Sequence, residues 1–347
     1  MYDAVLNQIT GDRTHNDTVT KEDQERLMSN DAKYHEFRKV IETEGNAAHP
    51  FSLAGSAMSD YARQGFTQLM RGRLAKKPEY ADLLIPSFAP GCRRLTPGPG
   101  FLEALTEDNV DFISTPIHSI EEKGIRLGDG KLVELDVLVC ATGFNAAGAP
   151  PFPITGRDGI KLKDRFDPYP EAYLSVATDG FPNFFSMLGP NSGVASGSLT
   201  KIIEATGDYI LRCIRKLQKE DIGSMEISSR IVRDWNRQTQ AYFKRTVFMD
   251  ECKTWYRKDD KIVGLWPGST LHAVETLRSP RWEDYIYTYR DNDDPEYNRM
   301  AWLGNGWSDL QLSGGDLSWY IEPENVDFPA APLPEKTEKW TKLSFTY

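Results

Sequence analysis

The stretch Asp136-Val-Leu-Val-Cys-Ala-Thr-Gly-Phe144 decides how the rest of the chain is read. Its centre, Val137 to Ala141, is a continuous apolar run. Such a run predicts a strand buried on both faces of a parallel sheet. The strand ends in Ala141-Thr-Gly143, where small side chains let the backbone approach another group closely and Gly143 permits a sharp exit. Ligands of open α/β sheets sit beyond the carboxyl ends of the strands. The same three residues also suit an ordinary strand end, and the two readings stand side by side.

Upstream, Val110 to Ile113, Ile117 to Glu121 and Gly124 to Leu127 read as further strands, with Asp129-Gly130 as a hairpin turn. Residues 1–90 read as mostly helical. Thr20 with Asp23 suggests a capping box opening a charged helix through Lys39, and a second helix runs from Ser59 to Leu74 before Pro78 and Pro86 break regularity. Downstream, residues 145–180 are a loop rich in Gly and Pro, and Phe181 to Leu188 is a strand stopped by Gly189-Pro190. Residues 198–218 repeat Leu199, Ile202, Ile203, Ile210, Ile214 and Leu217 at helical spacing, with Ser196 or Ser198 as cap. Another helix covers Ser228 to Arg245, and a polar, Trp- and Pro-rich tail follows from Asp291.

With 347 residues the chain has room for about two domains. Lys and Arg number 41 against 51 Asp and Glu, a net charge of −10, which disfavours nucleic acid and anionic membrane surfaces as partners. No apolar run is long enough to span a membrane, and Met1 to Arg13 lacks the apolar core of a signal peptide. The cysteines, Cys92, Cys140, Cys213 and Cys252, form no CxxC pair and no metal-type cluster. They are expected as reduced thiols in a cytoplasmic protein, with no metal bound.

Three further stretches carry chemistry. Phe181 to Leu188, then Gly189-Pro-Asn-Ser-Gly193, then Gly197 before a helix is a layout that presents backbone N–H groups to a negatively charged ligand; a tight strand-to-helix turn looks the same. Gly91-Cys-Arg-Arg-Leu95 pairs two arginines that suit a phosphate or an oxyanion, or simply a charged surface. Cys252-Lys-Thr-Trp-Tyr256, followed by Trp266-Pro-Gly-Ser269, offers aromatic surface for stacking or for a core. A plain α/β hydrolase is excluded by the absence of a G-x-S-x-G elbow and of a histidine in a catalytic context.

Taken in order, Ile85-Pro-Ser-Phe-Ala-Pro-Gly-Cys-Arg-Arg-Leu-Thr-Pro-Gly-Pro-Gly-Phe-Leu-Glu-Ala-Leu105, Asp136–Phe144, Phe184-Phe-Ser-Met-Leu-Gly-Pro-Asn-Ser192, Cys252–Tyr256 and Leu265-Trp-Pro-Gly-Ser269 resemble the C-terminal part of class B flavoprotein monooxygenases, the Baeyer–Villiger monooxygenases of fungal type. The family's two G-x-G-x-x-G motifs, for FAD and for NADPH, and its central His fingerprint are absent from this sequence. The resemblance implies an α/β chain carrying a partial two-dinucleotide-binding-domain (Rossmann-like) flavoprotein fold with helical insertions. It implies a helical segment at 1–90, the C-terminal part of an NADP-binding domain with its β-hairpin at 91–144, the C-terminal part of an FAD-binding domain at 145–290 and an extended tail at 291–347.

It further implies an oxidoreductase that uses FAD, NADPH and O2 to insert one oxygen atom into a ketone in fungal secondary metabolism. Arg94 matches the family's active-site arginine, a buried guanidinium that stabilises negative charge during oxygen transfer and contacts the nicotinamide cofactor. Arg93 matches its neighbour on the cofactor side. Ala141, Thr142 and Gly143 match the motif joining the two nucleotide domains. Gly189, Pro190, Asn191 and Leu199 match the wall beside the flavin ring, and Trp255 matches an aromatic residue near NADP. The alternative, suggested by the missing glycine-rich loops, is a catalytically silent remnant or interaction module. Unpaired sheet edges would then favour self-association.

Overall fold

A computed structural model of the chain describes residues 20–95, 98, 100–143, 148–290 and 294–325. The chain divides into two compact units, Met1–Asp293 and Asp294–Tyr347. The first opens with α1 (Lys21–Met28), α2 (Asp31–Ala47), α3 (Ala57–Arg73) and α4 (Glu79–Leu84). The expected helix through Lys39 is broken where Asn30 caps α2, its side chain accepting from the amides of Ala32 and Lys33. The Thr20–Asp23 capping box rests partly on a side chain outside the described residues. Ser56 caps α3 through the Ser59 amide.

After α5 (Phe101–Ala104) comes a small antiparallel sheet of β1 (Ile117–Glu121), β2 (Gly124–Leu127) and β3 (Leu132–Glu134). The Asp129-Gly130 turn joins β2 to β3 as the sequence suggests: Gly130 has φ 86° and Asp129 accepts from the Lys131 amide. Val110 to Ile113, read as a strand, has no strand structure.

The main departure from the sequence reading follows β3. Val137 to Ala141 is not a buried parallel strand. It pairs with no other strand among the described residues, and Val137 and Val139 are 74% and 83% exposed. A strand of this composition needs neighbours on both edges and cover on both faces. The sheets of the described residues are all antiparallel and offer it neither.

The core lies further along. Past α6 (Leu162–Arg165), α7 (Leu199–Lys219) buries Ile202, Ala205, Tyr209 and Cys213 along one stripe. Ser198 caps it, accepting from the Lys201 amide at 3.3 Å. That stripe packs on β4 (Ile222–Ile227), on α8 (Ser229–Phe243), on α9 (Thr270–Leu277) and on β7 (Tyr285–Tyr289), which pairs antiparallel with β4 from Ile222↔Tyr289 to Ile227↔Tyr285. Met225, Ile227, Val232, Trp266, Ala273, Leu277 and Tyr285 complete the cluster. Each fully buried aliphatic side chain here contributes about 1.5–3 kcal/mol. A second cluster, Phe243, Val247, Phe248, Tyr256, Ile262 and Leu265, surrounds the short hairpin of β5 (Arg257–Lys258) and β6 (Lys261–Ile262).

Phe181 to Leu188 is a second correction. It forms turns with a single bridge, Phe185 to Ala177, because Asn183 and Leu188 take φ 59° and 57°. A left-handed residue stops a strand. The second unit, expected as an extended tail, carries helical turns at Ala301–Leu303 and Pro323–Asn325 and the capped helix α10 (Asp309–Ser313) between them.

Candidate functional site

The turn from Gly189 to Gly193 is zipped against residues 262–266. The Asn191 amide donates to the Val263 carbonyl at 2.7 Å, and the Gly193 amide donates to Gly264 at 2.8 Å. The Trp266 amide donates back to Gly193 at 2.7 Å. Asn191 itself has φ 62° and is 1% exposed. Its side-chain amide donates to the carbonyls of Ile262 (2.8 Å) and Leu265 (3.0 Å). Gly189 is required by close approach: a Cβ there would lie 2.4 Å from the Ser175 carbonyl oxygen.

Trp255 stands beside this zipped pair. The ring lies so close to Gly264 that a Cβ on that glycine would be 2.9 Å from it. The guanidinium of Arg94 sits over the Trp255 ring, 5.7 Å from its centroid. Arg94 is held there by a disulfide, Cys92–Cys252, whose Cα atoms are 6.2 Å apart. The expectation of four reduced thiols is therefore wrong for two of them; Cys140 and Cys213 are free. The loops are also braced by the Asp250 carboxylate. It accepts from the Ala89 amide at 2.7 Å, and that bond, the Glu251 amide and the Arg63 and Arg257 cations hold its pKa below the usual range. Burial raises the Tyr256 phenol against the pull of Arg94, Arg93 and Arg257.

Arg93, Arg94, Trp255 and the Gly189–Asn191 turn are thus brought together, while Leu199 opens α7. Two expectations change. Arg94 is exposed rather than buried in an apolar pocket. The turn does not present its backbone N–H groups at Asn191 and Gly193 to a ligand, because both are spent on Val263 and Gly264, and the Asn191 side-chain amide also turns inward. Ala141, Thr142 and Gly143 are exposed, make no hydrogen bond to this cluster among the described residues, and have open space around Gly143.

The residues suit one end of a flavin. The amides of Leu199 and Thr200, at the positive end of α7, carry no hydrogen bond among the described residues. Ser175 Oγ and Ser196 Oγ are buried and unpartnered, and the Ser175 backbone lies against Gly189. Donors placed this way fit the carbonyl edge of a ring. No described strand runs into a glycine-rich loop and helix that could cradle a pyrophosphate. Sequence reasoning also missed the end of α2, which packs onto Gly197 just before α7. A Cβ at Gly197 would lie 2.7 Å from Asn46 Oδ1, and Asn46 Oδ1 and His49 Nδ1 are buried without partners. Among the described residues no cluster of His, Cys, Asp or Glu could hold a metal ion, and no helix is long and apolar enough to cross a membrane.

No protein-family model matches the chain. It is 33% identical over 295 residues to the FAD-binding monooxygenase moxY of Dothistroma septosporum, covering 83% of this chain and 46% of that one. It is 34% identical over 312 residues to the FAD-binding monooxygenase stcW of Emericella nidulans, covering 87% and 50%. Among solved structures it resembles an oxidised steroid monooxygenase bound to NADP, with TM-score 0.59, 26% identity and coverage of 69% of this chain and 47% of that one. It shares the fold of cyclohexanone monooxygenase from Rhodococcus sp. Phi1 bound to NADP+, with TM-score 0.61, 24% identity and coverage of 69% and 46%. The chain spans about half the length of the curated relatives it matches. Fold and sequence identity agree: over most of its length the chain is a homologue of the FAD-binding monooxygenases.

Proposed function

We propose that this chain forms the ring-side part of an FAD- and NADPH-dependent monooxygenase that inserts one oxygen atom from O2 into a small ketone in fungal secondary metabolism. The observation that carries the reading is the Arg94–Trp255 stack beside the Gly189–Gly193 turn. FAD, when bound, supplies the two-electron chemistry between NADPH and O2. The chain's own groups bind and orient. Leu199 and Thr200 offer backbone donors to the ring edge, and Gly189 and Pro190 form its wall. Trp255 gives a flat surface for the nicotinamide. Arg94 keeps a cation at the place where oxygen becomes negative. Arg93 supports binding of the cofactor phosphate.

The test measures FAD and NADP+ binding to the purified chain, then ketone-dependent NADPH oxidation with FAD added. Arg94→Ala should cut product formation about 100-fold, as loss of an oxyanion donor does. Arg93→Ala should instead raise KM for NADPH, because a phosphate contact gives largely uniform binding. Failure to bind either cofactor, or an Arg94→Ala chain with normal product yield, overturns the reading. A second reading, an interaction module without turnover that self-associates, is favoured by the exposed, unpaired Val137–Ala141 segment. It requires cofactor binding to be absent while self-association is present.

A further inference from the structure

The loop that carries Arg94 is held on one side only. The Ala89 amide is tied to Asp250, and the Gly91 carbonyl accepts from the Tyr256 hydroxyl at 3.5 Å. Beyond Cys92 no backbone hydrogen bond fixes Arg93, Arg94 or Leu95 among the described residues, and all three are exposed. The Cys92–Cys252 bond is therefore the last tether before Arg94. Its other end lies on the segment that carries Trp255. The Cys252 carbonyl accepts from Arg257 at 2.8 Å, and Arg257 also donates to the Asp250 carbonyl at 2.6 Å. The Trp255 side of the contact keeps these braces whether or not the sulfurs are joined. On the Arg94 side the bonds at Ala89 and Gly91 stop short of Cys92, and the sulfur bridge is the last link before Arg94.

From this asymmetry we propose that Cys92 and Cys252 are a redox-responsive positioning pair: the disulfide sets Arg94 against Trp255, and its reduction releases Arg94 while leaving Trp255 in place. The inference deepens the proposed function, because it makes the nicotinamide-side surface conditional on the oxidation state of two cysteines. A dithiol reduces the bond by exchange. Its thiolate attacks one sulfur, the S–S bond breaks, and the second thiol displaces the mixed disulfide. Two electrons and two protons pass to Cys92 and Cys252, and the dithiol leaves as a cyclic disulfide. A disulfide or peroxide acting as two-electron oxidant restores the link. Cys92 is 0% and Cys252 2% exposed, so exchange proceeds through local opening of the exposed Arg93–Leu95 loop.

The test uses the full chain grown with 5-fluorotryptophan and read by fluorine NMR, with the Trp255 resonance assigned by Trp255→Phe. Under denaturing conditions the untreated chain should titrate only the thiols of Cys140 and Cys213, and the dithiothreitol-treated chain those of all four cysteines. Reduction should move the Trp255 resonance to the position it takes in Arg94→Gln. It should produce no further shift in Arg94→Gln itself and leave the signals of the buried Trp266 and the half-buried Trp235 in place. Arg94→Gln is an exposed substitution and keeps the fold. Four thiols before reduction, a Trp255 signal that reduction does not move, or one that moves equally in Arg94→Gln overturns the proposal. Loss of the Trp266 signal together with that of Trp255 would mark a staple of the whole fold and also overturn it. The readout needs no bound flavin and no turnover, so the tether can stand where the proposed function fails, and the reverse.

Discussion

Replacing Asn191 by alanine tests the claim that this residue builds the ring-side wall by bonding inward. The Leu265 carbonyl has the Asn191 side chain as its donor, at 3.0 Å, so removing it leaves a buried acceptor unpaired at about 1–3 kcal/mol. The Ile262 carbonyl keeps a second donor, Gln240 Nε2 at 2.9 Å, so losing the 2.8 Å bond from Asn191 costs only about 1 kcal/mol. At φ 62° an alanine adds about 1–2 kcal/mol of left-handed strain that asparagine largely escapes. The expected destabilisation is about 3–6 kcal/mol. Asn191→Gly removes the same bonds without the strain, so it should fall about 1 kcal/mol or more short of alanine. Urea unfolding followed by tryptophan fluorescence and circular dichroism, with an unchanged slope, gives both values. An Asn191→Ala chain within 1 kcal/mol of the parent, or a glycine variant as unstable as the alanine one, would refute the assignment of roles.

Two further substitutions probe neighbouring polar groups. Burial first, and the His272 charge second, hold the His49 pKa below its ordinary 6.5. The unfolded chain then takes up this proton first as pH falls, so the His49 contribution is complete above about pH 6.5 and is lost on acidification. His49→Gln should flatten the pH dependence of stability between about pH 7 and about pH 5, and an unaltered slope would remove His49 from the account. Tyr173 donates to the buried Asp284 carboxylate at 2.5 Å, beside Arg281 at 3.1 Å. Tyr173→Phe should cost about 1.5–3 kcal/mol in the same unfolding assay, as expected for a hydrogen bond to a charged group; a cost below 0.5 kcal/mol would show that Arg281 satisfies Asp284 alone.

What the sequence made legible was local. The 198–218 helix followed from apolar residues at helical spacing and a serine at its start, and the structure caps it with Ser198. The Asp129-Gly130 hairpin followed from turn chemistry that acts over four residues. What depends on distant partners was not legible. Val137–Ala141 has the composition of a central strand, yet burial belongs to the neighbours that a strand finds, not to the strand. Cys92 and Cys252 lie 160 positions apart, and no spacing rule reaches that far. Near the site, the motifs gathered Arg93, Arg94, Trp255 and the Gly189–Asn191 turn, but not Asn46, which meets Gly197 from the helical segment and belongs to no motif.

The failed strand at Phe181–Leu188 shows why a pattern of apolar residues was the wrong guide there. One asparagine lies near the start of the segment and another just past its end, both with left-handed backbone, φ 59° at Asn183 and 62° at Asn191. Each bonds as a short piece of strand would. The Asn183 amide donates to the Met225 carbonyl at 2.9 Å, its Oδ1 accepts from the Met225 amide at 2.9 Å, and its Nδ2 donates to Gly223 at 3.0 Å. Asn191 does the same work against Ile262, Val263 and Leu265. Asparagine suits both places because it tolerates this backbone and carries a donor and an acceptor that satisfy ladder groups from outside a ladder. The apolar residues between them, Phe184, Phe185 and Met187, therefore need no ladder, only the single bridge from Phe185 to Ala177. The chain between the two pins is free to follow the turn that the site requires, and the pins fix where it starts and where it ends. That is a tighter specification of the ring-side wall than a strand running into it would supply, because a strand slipped by one residue would reverse every side chain, whereas each asparagine bonds correctly in one register only.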